Sequence, residues 1–193
     1  MSDTREAILK AAHALYLREG LAGLSMRKVA KDANISAPAI YRHFQDKETM
    51  LFELVAKATH IFMTYLSRGL SGEDARERLL LAGMGYMDFA LEHSGYYRIM
   101  FMAPKEHVGL QKLAEQAASD FAPTFQFLVD RVSECMVSGE LATDDTEKIS
   151  AIIWANCHGL CALRLADHFE MISEATFRDM YQHSIEHLLV GLS

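Results

Sequence analysis

Apolar residues recur every three or four positions along most of the 193-residue chain, which is the spacing of one face of an α-helix. Stretches in which apolar and polar residues alternate are few, and only three prolines interrupt the pattern. The sequence therefore predicts an all-α protein. Its first helix is expected from about residue 3 to residue 19, with Ile8, Ala12 and Leu15 on the buried face and Gly20 at its end.

Residues 24–51 contain two short helical patterns separated by a tight turn, followed by the start of a third. Ser25 and Ser36 are expected to cap the first two helices, because a serine hydroxyl accepts a hydrogen bond from a first-turn N–H. Between them, Asn34 tolerates the left-handed conformation that suits a helix exit. Two short helices joined at a steep angle form a helix-turn-helix, whose second helix can lie in the major groove of DNA. The same corner also occurs in helical proteins that bind no DNA.

A longer helix is expected from about residue 47 to residue 66, with Asp46 as its cap. Twenty residues span about 30 Å, so this helix would link a helix-turn-helix DNA-binding domain over residues 1–48 to a helical ligand-binding and dimerisation domain over 49–193. Further helices are expected from a capping box at Ser71 and Asp74 to about His93, from Lys105 to Val137 with Pro123 kinking or dividing it, from a cap at Asp144 with Glu147 to Phe169, and from Ser173 onwards.

Charge is unevenly distributed along the chain. Residues 1–50 carry eight Lys or Arg and six Asp or Glu, whereas the remainder carries eleven and twenty. A basic helix-turn-helix on a chain of formal net charge −7 fits a small phosphate-binding head on an acidic body. No apolar run approaches the roughly 20 residues of a membrane span, and the charged start of the chain lacks the apolar region of a signal peptide. A cytoplasmic protein with no membrane partner is therefore expected.

Three segments of the head carry a resemblance to a known family: TREAILKAAHALYLREG, then LSMRKVAKDANIS, then APAIYRHFQDKETML. Residues 4–55 resemble the DNA-binding head of the tetracycline-repressor (TetR) family of bacterial transcription regulators. The spacing from Tyr41 through His43 and Phe44 to Lys47 is the most diagnostic part. This resemblance implies a homodimer, a second, ligand-binding domain, and release from a double-stranded operator when a small-molecule effector binds.

Residues on and beside the second helix are expected to contact DNA. Ala37 and Ala39 are small enough to approach base edges, and Lys47, at the start of a helix, is placed to bind phosphate. The alternative for this second helix is a solvated face. At the positions of Arg27 and Lys28, members of the family that the chain resembles reach the flanking backbone or a base. The expected DNA-contacting set is Thr4, Ser25, Arg27, Lys28, Ser36, Ala37, Ala39, Tyr41, Arg42, His43 and Lys47, with Arg5 beside Thr4 as a further phosphate donor.

The body combines methionines and aromatic residues with a few polar groups in apolar helices. Methionine fills irregular space and adapts to varied ligands, although ordinary core packing explains any single one equally well. Buried polar side chains must either satisfy one another or face a cavity. A small, largely apolar ligand is therefore expected. The candidate ligand-binding residues are His60, Met84, Met87, Asp88, Tyr97, Phe121, Phe125, Trp154, Cys157 and His158, with Asn156 and Arg164 as further polar groups.

The segment IIWANCHGLCALRLADHF resembles a C-terminal regulatory domain type named for Trp-His-Gly, matched here by Trp154, His158 and Gly159. Gly159 also lies in a seam of small residues with Ala155 and Ala162, which lets a neighbouring helix approach closely. That seam packs either within the core or across a dimer. The last two helices of each subunit are expected to build a four-helix dimer interface, whose twofold symmetry would match a palindromic operator.

Two patterns suggest other chemistry. His183, Glu186 and His187 match the H-x-x-E-H pattern of some zinc peptidases, so a helical metalloenzyme is an alternative function, but the pattern lacks an evident third ligand. Cys157 and Cys161 are one helical turn apart and could bind metal or sense oxidants, although buried cysteines usually pack as small apolar groups. A second alternative is a helical interaction module that binds no DNA. The favoured interpretation requires no catalytic residue, metal or cofactor.

Overall fold

The computed structural model describes the backbone of residues 3–102 and 110–193, and the side chains of residues 3–102 and 123–193. Every regular element within these ranges is helical, which confirms the predicted all-α fold. The α-helices are α1 (Asp3–Gly23), α2 (Met26–Asp32), α3 (Ala37–Ile40), α4 (Lys47–Leu66), α5 (Ala75–Glu92), α6 (Ser94–Tyr97), α7 (Leu110–Ser138), α8 (Thr146–Leu165) and α9 (Glu174–Gly191), with a 3₁₀ segment at Ser67–Ser71 and a π-helical segment at Arg98–Met102.

Packing divides the chain into two compact units. The first comprises Met1–His60 with Gly95–Phe121, and the second comprises Ile61–Ser94 with Ala122–Ser193. The division therefore falls within α4. The boundary between functional domains at residues 48 and 49 stays a prediction.

The helix-turn-helix of the first unit forms as its capping residues predict. The Lys28 N–H donates to the Ser25 hydroxyl at 3.4 Å, and the Ala39 N–H donates to the Ser36 hydroxyl at 3.3 Å. Asn34, with φ of 55°, occupies the left-handed region between the two helices. Buried apolar side chains form the core beneath the exposed surface of the motif, among them Ile8, Leu15, Val29, Ile40 and Phe44.

Glycine and aspartate set the ends of the two long helices of this unit. Gly20 has φ of 68°, which interrupts the helical backbone of α1 where its end is predicted. Asp46 caps α4, because both the N–H and the hydroxyl of Thr49 donate to its Oδ1 at 2.7 Å. These hydrogen bonds lower the pKa of Asp46. Helix α4 then runs to Leu66, so both predicted bounds are confirmed.

In the second unit, α5 approaches the end of α4 closely. A Cβ atom at Gly85 would lie 2.2 Å from the carbonyl oxygen of Tyr65, so only glycine permits this approach. Side chains of α5, α8 and α9 fill the interior, and its fully or nearly fully buried members include Leu79, Met87, Phe89, Ile153, Cys161, Phe177, Tyr181 and Ile185.

Two expectations about α5 and α7 need correction. Ser71 does not cap α5; the carboxylate of Asp74 accepts the Glu77 N–H at 2.7 Å, and the Glu77 carboxylate accepts the Glu73 N–H at 2.6 Å. The capping box therefore lies three residues further along. Of the two outcomes expected at Pro123, division of the helix is wrong, because α7 is continuous from Leu110 to Ser138, whereas a kink stays a prediction. Proline removes one N–H donor, and the rest of this long helix retains its own hydrogen bonds.

The bounds of α8 also differ from those expected. Its cap is Asp145 rather than Asp144, since the Asp145 carboxylate accepts a first-turn N–H at 3.1 Å. It ends at Leu165 rather than Phe169. The reason is Asp167, whose φ of 62° cannot continue a right-handed helix. Ser173 caps α9 as predicted.

Among the described residues, no helix is both long and apolar enough to cross a lipid bilayer.

Candidate functional site

The segment from Ser36 to Phe44, here called the recognition segment, turns two side chains inward and the others outward. Ile40 and Phe44 are buried. In contrast, Tyr41 is 57% exposed, and Arg42 is exposed beside it. Helix α3 is a single turn, and the Phe44 N–H extends it by donating to the Ile40 carbonyl at 3.0 Å. The predicted contacts Ser36, Ala37, Ala39, Tyr41, Arg42 and His43 all keep at least part of their surface exposed, as do Thr4 and Ser25 outside the segment.

Arg5 holds the end of the recognition segment from inside the first unit. Its Nε donates to one Glu53 oxygen at 2.8 Å, a second guanidinium N–H donates to the other oxygen, and a third donates to the carbonyl of His43. The guanidinium carbon lies 4.3 Å from the centre of the Phe44 ring. Arg5 therefore ties α1 and α4 to this segment. The structure directs it inward, not towards phosphate.

Sequence reasoning missed this contact because nothing in the local pattern relates positions 5 and 53. The acidic residue follows the start of α4 by six positions, within an ordinary amphipathic helix. Its partner is identifiable only when α1 and α4 are placed side by side. Periodicity identifies the face of each helix but does not pair the faces of distant helices.

The basic residues predicted to reach DNA have different surroundings. Lys28 pairs with Glu19, with 2.6 Å between Nζ and the carboxylate. Lys47 donates from Nζ to the Leu21 carbonyl at 3.0 Å. Arg27 and Arg42 are exposed and form no ion pair with another residue of the described part of the chain. A phosphate could therefore pair with Arg27 and Arg42 directly, whereas Lys28 would first have to release the Glu19 carboxylate.

In the second unit, two side chains of α8 lie within hydrogen-bonding distance of one tyrosine hydroxyl of α5. The Trp154 Nε1–H donates to the Tyr86 hydroxyl at 3.4 Å, and the same hydroxyl lies 3.1 Å from His158 Nδ1. The Phe125 ring packs against Trp154 with 6.2 Å between centroids. The structure thus brings together three predicted ligand-binding residues, Phe125, Trp154 and His158. It adds Tyr86, which is not among the candidate ligand-binding residues given above.

Several other candidate ligand-binding residues lie elsewhere. His60 is exposed, and Asp88 pairs with Arg68 at 3.2 Å and with Arg178. Tyr97 is buried in the first unit, 5.0 Å from the Phe101 ring. The remaining members are Met84, which is partly buried, Met87 and Cys157, which are buried, and Phe121, whose side chain lies outside the described residues. Of the two further polar groups, Asn156 accepts from the Ser184 hydroxyl and Arg164 donates to the carbonyls of Phe169 and Ile172.

The cysteines are buried thiols and form no disulfide. Burial raises the pKa of Cys135 and of Cys157 to about 11, and it also raises the pKa of Cys161. A thiol reacts as its thiolate, so at neutral pH these groups are protonated and shielded. This environment favours a packing role over an oxidant sensor.

We expect the three native thiols to react with a disulfide reagent such as DTNB at pH 7.5 at least about a hundredfold more slowly than a free cysteine. A Met171→Cys variant provides the matched control, because Met171 is 95% exposed and its replacement should react rapidly. All thiols should react in 6 M guanidinium chloride. A native thiol that reacts as fast as the one at position 171 would restore the sensor hypothesis.

The H-x-x-E-H pattern of α9 is a pair of solvent-exposed histidines. His183 Nδ1 lies 2.9 Å from the carbonyl of Asp179, and His187 Nδ1 lies 2.7 Å from the carbonyl of His183. In the described ranges, no three His, Cys, Asp or Glu side chains converge so as to hold a metal ion. The arrangement gives the metalloenzyme alternative no support.

Helices α8 and α9 expose apolar surface. Ile152 and Leu163 are 40% and 42% exposed, and Ala155 between them is also exposed. A Cβ atom at Gly159 would meet no atom of the described part of the chain within 4 Å. The predicted small-residue seam is therefore at least partly exposed in the second unit, and its packing across a dimer stays a prediction.

Comparison with known proteins identifies both parts of the chain. A family model described as "Bacterial regulatory proteins, tetR family" matches residues 8–54, and one described as "Tetracyclin repressor-like, C-terminal domain" matches residues 79–188. The second match includes Trp154, His158 and Gly159, and by itself covers more than half of the chain.

Relatives and solved structures agree with these matches. An HTH-type transcriptional regulator of Staphylococcus aureus strain MRSA252 is 23% identical over 129 residues, and the match covers 66% of this chain and 66% of that protein. A TetR-family transcriptional regulator from Rhodococcus sp. has a TM-score of 0.80 at 24% identity, over 97% of this chain and 100% of that one. The fatty acid degradation regulator FadR from Bacillus halodurans has a TM-score of 0.80 at 17% identity, over 98% and 96% of the two chains. These two structures establish the shared fold. With the family models, they place this chain in the TetR family of DNA-binding transcriptional regulators.

Proposed function

We propose that the protein is a homodimeric repressor that a small, largely apolar effector releases from a palindromic operator. The observation that carries this proposal is the recognition segment. It presents Tyr41 and Arg42 to solvent while Ile40 and Phe44 anchor it in the first unit. A short helix whose buried side is anchored and whose exposed side is polar suits insertion into a major groove. We expect base-edge contacts from Ala37, Ala39, Tyr41 and Arg42, and phosphate contacts from Thr4, Ser25, Arg27, Lys28, Ser36, His43 and Lys47. We expect the protein to act in the cytoplasm.

Dimerisation would occur through the exposed apolar faces of α8 and α9. Ile152, Leu163 and Val190, which is 66% exposed, would become buried against the same residues of a second copy. A twofold axis between identical helices makes each contact occur twice. The two recognition segments would then meet half-sites that are one DNA turn, or a multiple of it, apart.

Effector binding would act through α4, which begins beside the recognition segment at Lys47 and ends in the second unit at Leu66. An effector changes operator affinity only if it binds two conformations of the protein with different affinity. We propose that the conformation favoured by the effector shifts α4, so that the spacing of the two heads no longer matches the half-sites. The candidate effector contacts are Met84, Met87, Phe125, Trp154 and His158, together with Tyr86.

Selection from a random duplex library at about 100 mM salt tests the proposal. We expect enrichment of a twofold-symmetric sequence, because each half-site is read by one subunit. A Tyr41→Ala, Arg42→Ala double variant is the matched control, since both side chains are exposed and their removal leaves the anchor intact. It should enrich no sequence. If the unaltered protein also enriches none, the helical interaction module is the better interpretation.

A further inference from the structure

We infer that Tyr86, Trp154 and His158, here called the polar node, bind the uncharged polar end of an otherwise apolar effector. The inference rests on the proposed function, because it assumes an effector that enters the second unit. It adds the chemical class of that effector: a ketone, ester, amide or alcohol rather than a carboxylate or an amine.

The node is a connected set of groups from two helices. Tyr86 of α5 is only 5% exposed, and its hydroxyl lies within hydrogen-bonding distance of both Trp154 Nε1 and His158 Nδ1 of α8. The Trp154 and His158 side chains are themselves only half-buried. A molecule that contacts them would therefore reach polar atoms that belong to one hydrogen-bonded network.

The rings around the node are apolar. The Phe62 ring meets Tyr86 edge to face with 5.4 Å between centroids, and the Phe125 ring meets Trp154 at 6.2 Å. Such rings contribute buried apolar area and impose a shape. A ligand that suits this environment is mostly hydrocarbon, with its polar atoms confined to one end.

The node is electrically neutral at pH 7. Indole and phenol carry no charge there, and burial lowers the pKa of His158 from its ordinary value of 6.5, so the imidazole is unprotonated. A hydroxyl and a neutral imidazole can each donate or accept a hydrogen bond, so the node can bind a carbonyl or a hydroxyl. The three side chains of the node themselves carry no positive charge that could pair with an ionised carboxylate, and leaving an ion unpaired among aromatic rings is costly.

Matched pairs of probes test the inference on the full-length protein at pH 7.5. The pairs are 2-decanone with decanoate, and 4-tert-butylcyclohexanone with 4-tert-butylcyclohexanecarboxylate. Trp154 is the only tryptophan of the chain, so its fluorescence reports directly on the node. In at least one pair we expect the ketone to bind saturably and at least tenfold more tightly than the carboxylate. A Tyr86→Phe variant should reduce this preference to less than threefold.

Tyr65→Phe is the matched control, because the Tyr65 hydroxyl binds Glu92 in the same unit and should leave the preference unchanged. The inference is overturned if no ketone binds, if neither ketone binds at least tenfold more tightly than its matched carboxylate, or if Tyr86→Phe keeps the preference. Duplex selection distinguishes this failure from failure of the proposed function. A protein that enriches an operator but does not prefer ketones loses only the inference, whereas one that enriches no DNA loses the repressor function.

Discussion

Replacement of Arg5 by Met should weaken binding to the selected operator by about ten- to a hundredfold without changing its salt dependence. The variant loses the hydrogen bond to the His43 carbonyl and the bonds to Glu53. Hydrogen bonds to charged groups contribute roughly 1.5–3 kcal/mol each, and each 1.4 kcal/mol is about a factor of ten in affinity. Arg5 would act by positioning the recognition segment and not by contacting phosphate. Its loss should therefore leave the slope of log affinity against log salt intact.

Two matched variants separate positioning from other effects. Lys57→Met removes an ion pair with Glu6 that also joins α1 to α4 but does not touch the recognition segment, so it should lower the melting temperature with little effect on operator affinity. Arg27→Ala removes an exposed cation that we expect to contact phosphate, so it should reduce the salt slope by about one unit. A reduced slope for Arg5→Met would make Arg5 a phosphate contact. If Arg5→Met lost no more operator affinity than Lys57→Met, Arg5 would contribute only to stability.

Replacement of Gly159 by Arg should convert the proposed dimer to a monomer. No atom of the described residues lies within 4 Å of the added Cβ, and arginine has a higher helix propensity than glycine by nearly 1 kcal/mol, so the subunit itself should remain folded. In the dimer, two unpaired guanidinium groups would enter an apolar interface. A buried charge without a partner costs roughly 3–5 kcal/mol, which weakens dimerisation at least about a hundredfold.

Sedimentation velocity measures the oligomeric state of this variant, and circular dichroism measures its melting temperature. Gln126→Arg adds the same charge at an exposed position of α7, beside Asp130, and should remain dimeric. Gly159→Arg should also lose high affinity for a palindromic operator, because a single subunit binds one half-site. A dimeric Gly159→Arg protein with normal stability would place the interface on another surface.

The helices were predictable where a local chemical signal marks their ends. Ser25, Ser36, Asp46 and Ser173 cap helices because each side chain bonds an N–H within three residues, and such contacts are visible in the sequence. Where two acidic residues are adjacent, as at Asp144 and Asp145, the sequence does not distinguish the cap from its neighbour. In that case the backbone conformation decides.

The candidate site was predictable only in part, because it depends on contacts between distant segments. The exposure of Tyr41 and Arg42 follows from the spacing of Ile40 and Phe44 within one short helix. The Arg5 contact and the hydroxyl shared at Tyr86 join positions 48 and 68 or more residues apart. Helical periodicity contains no information about such pairs. For the same reason, periodicity placed His60 among the interior residues, although its side chain is exposed in the folded protein.

Several cations near the helix-turn-helix are already neutralised by their own chain. Arg5 pairs with Glu53, Arg18 pairs with Asp32 and Lys28 pairs with Glu19. Residues 1–50 carry eight Lys or Arg against six Asp or Glu, so their net charge is small, and the attraction felt by a polyanion beyond a Debye length, about 10 Å at 0.1 M salt, is weak. Encounters with the double helix should receive little electrostatic guidance. Discrimination among DNA sequences then depends on the contacts that form after the protein and the DNA have met.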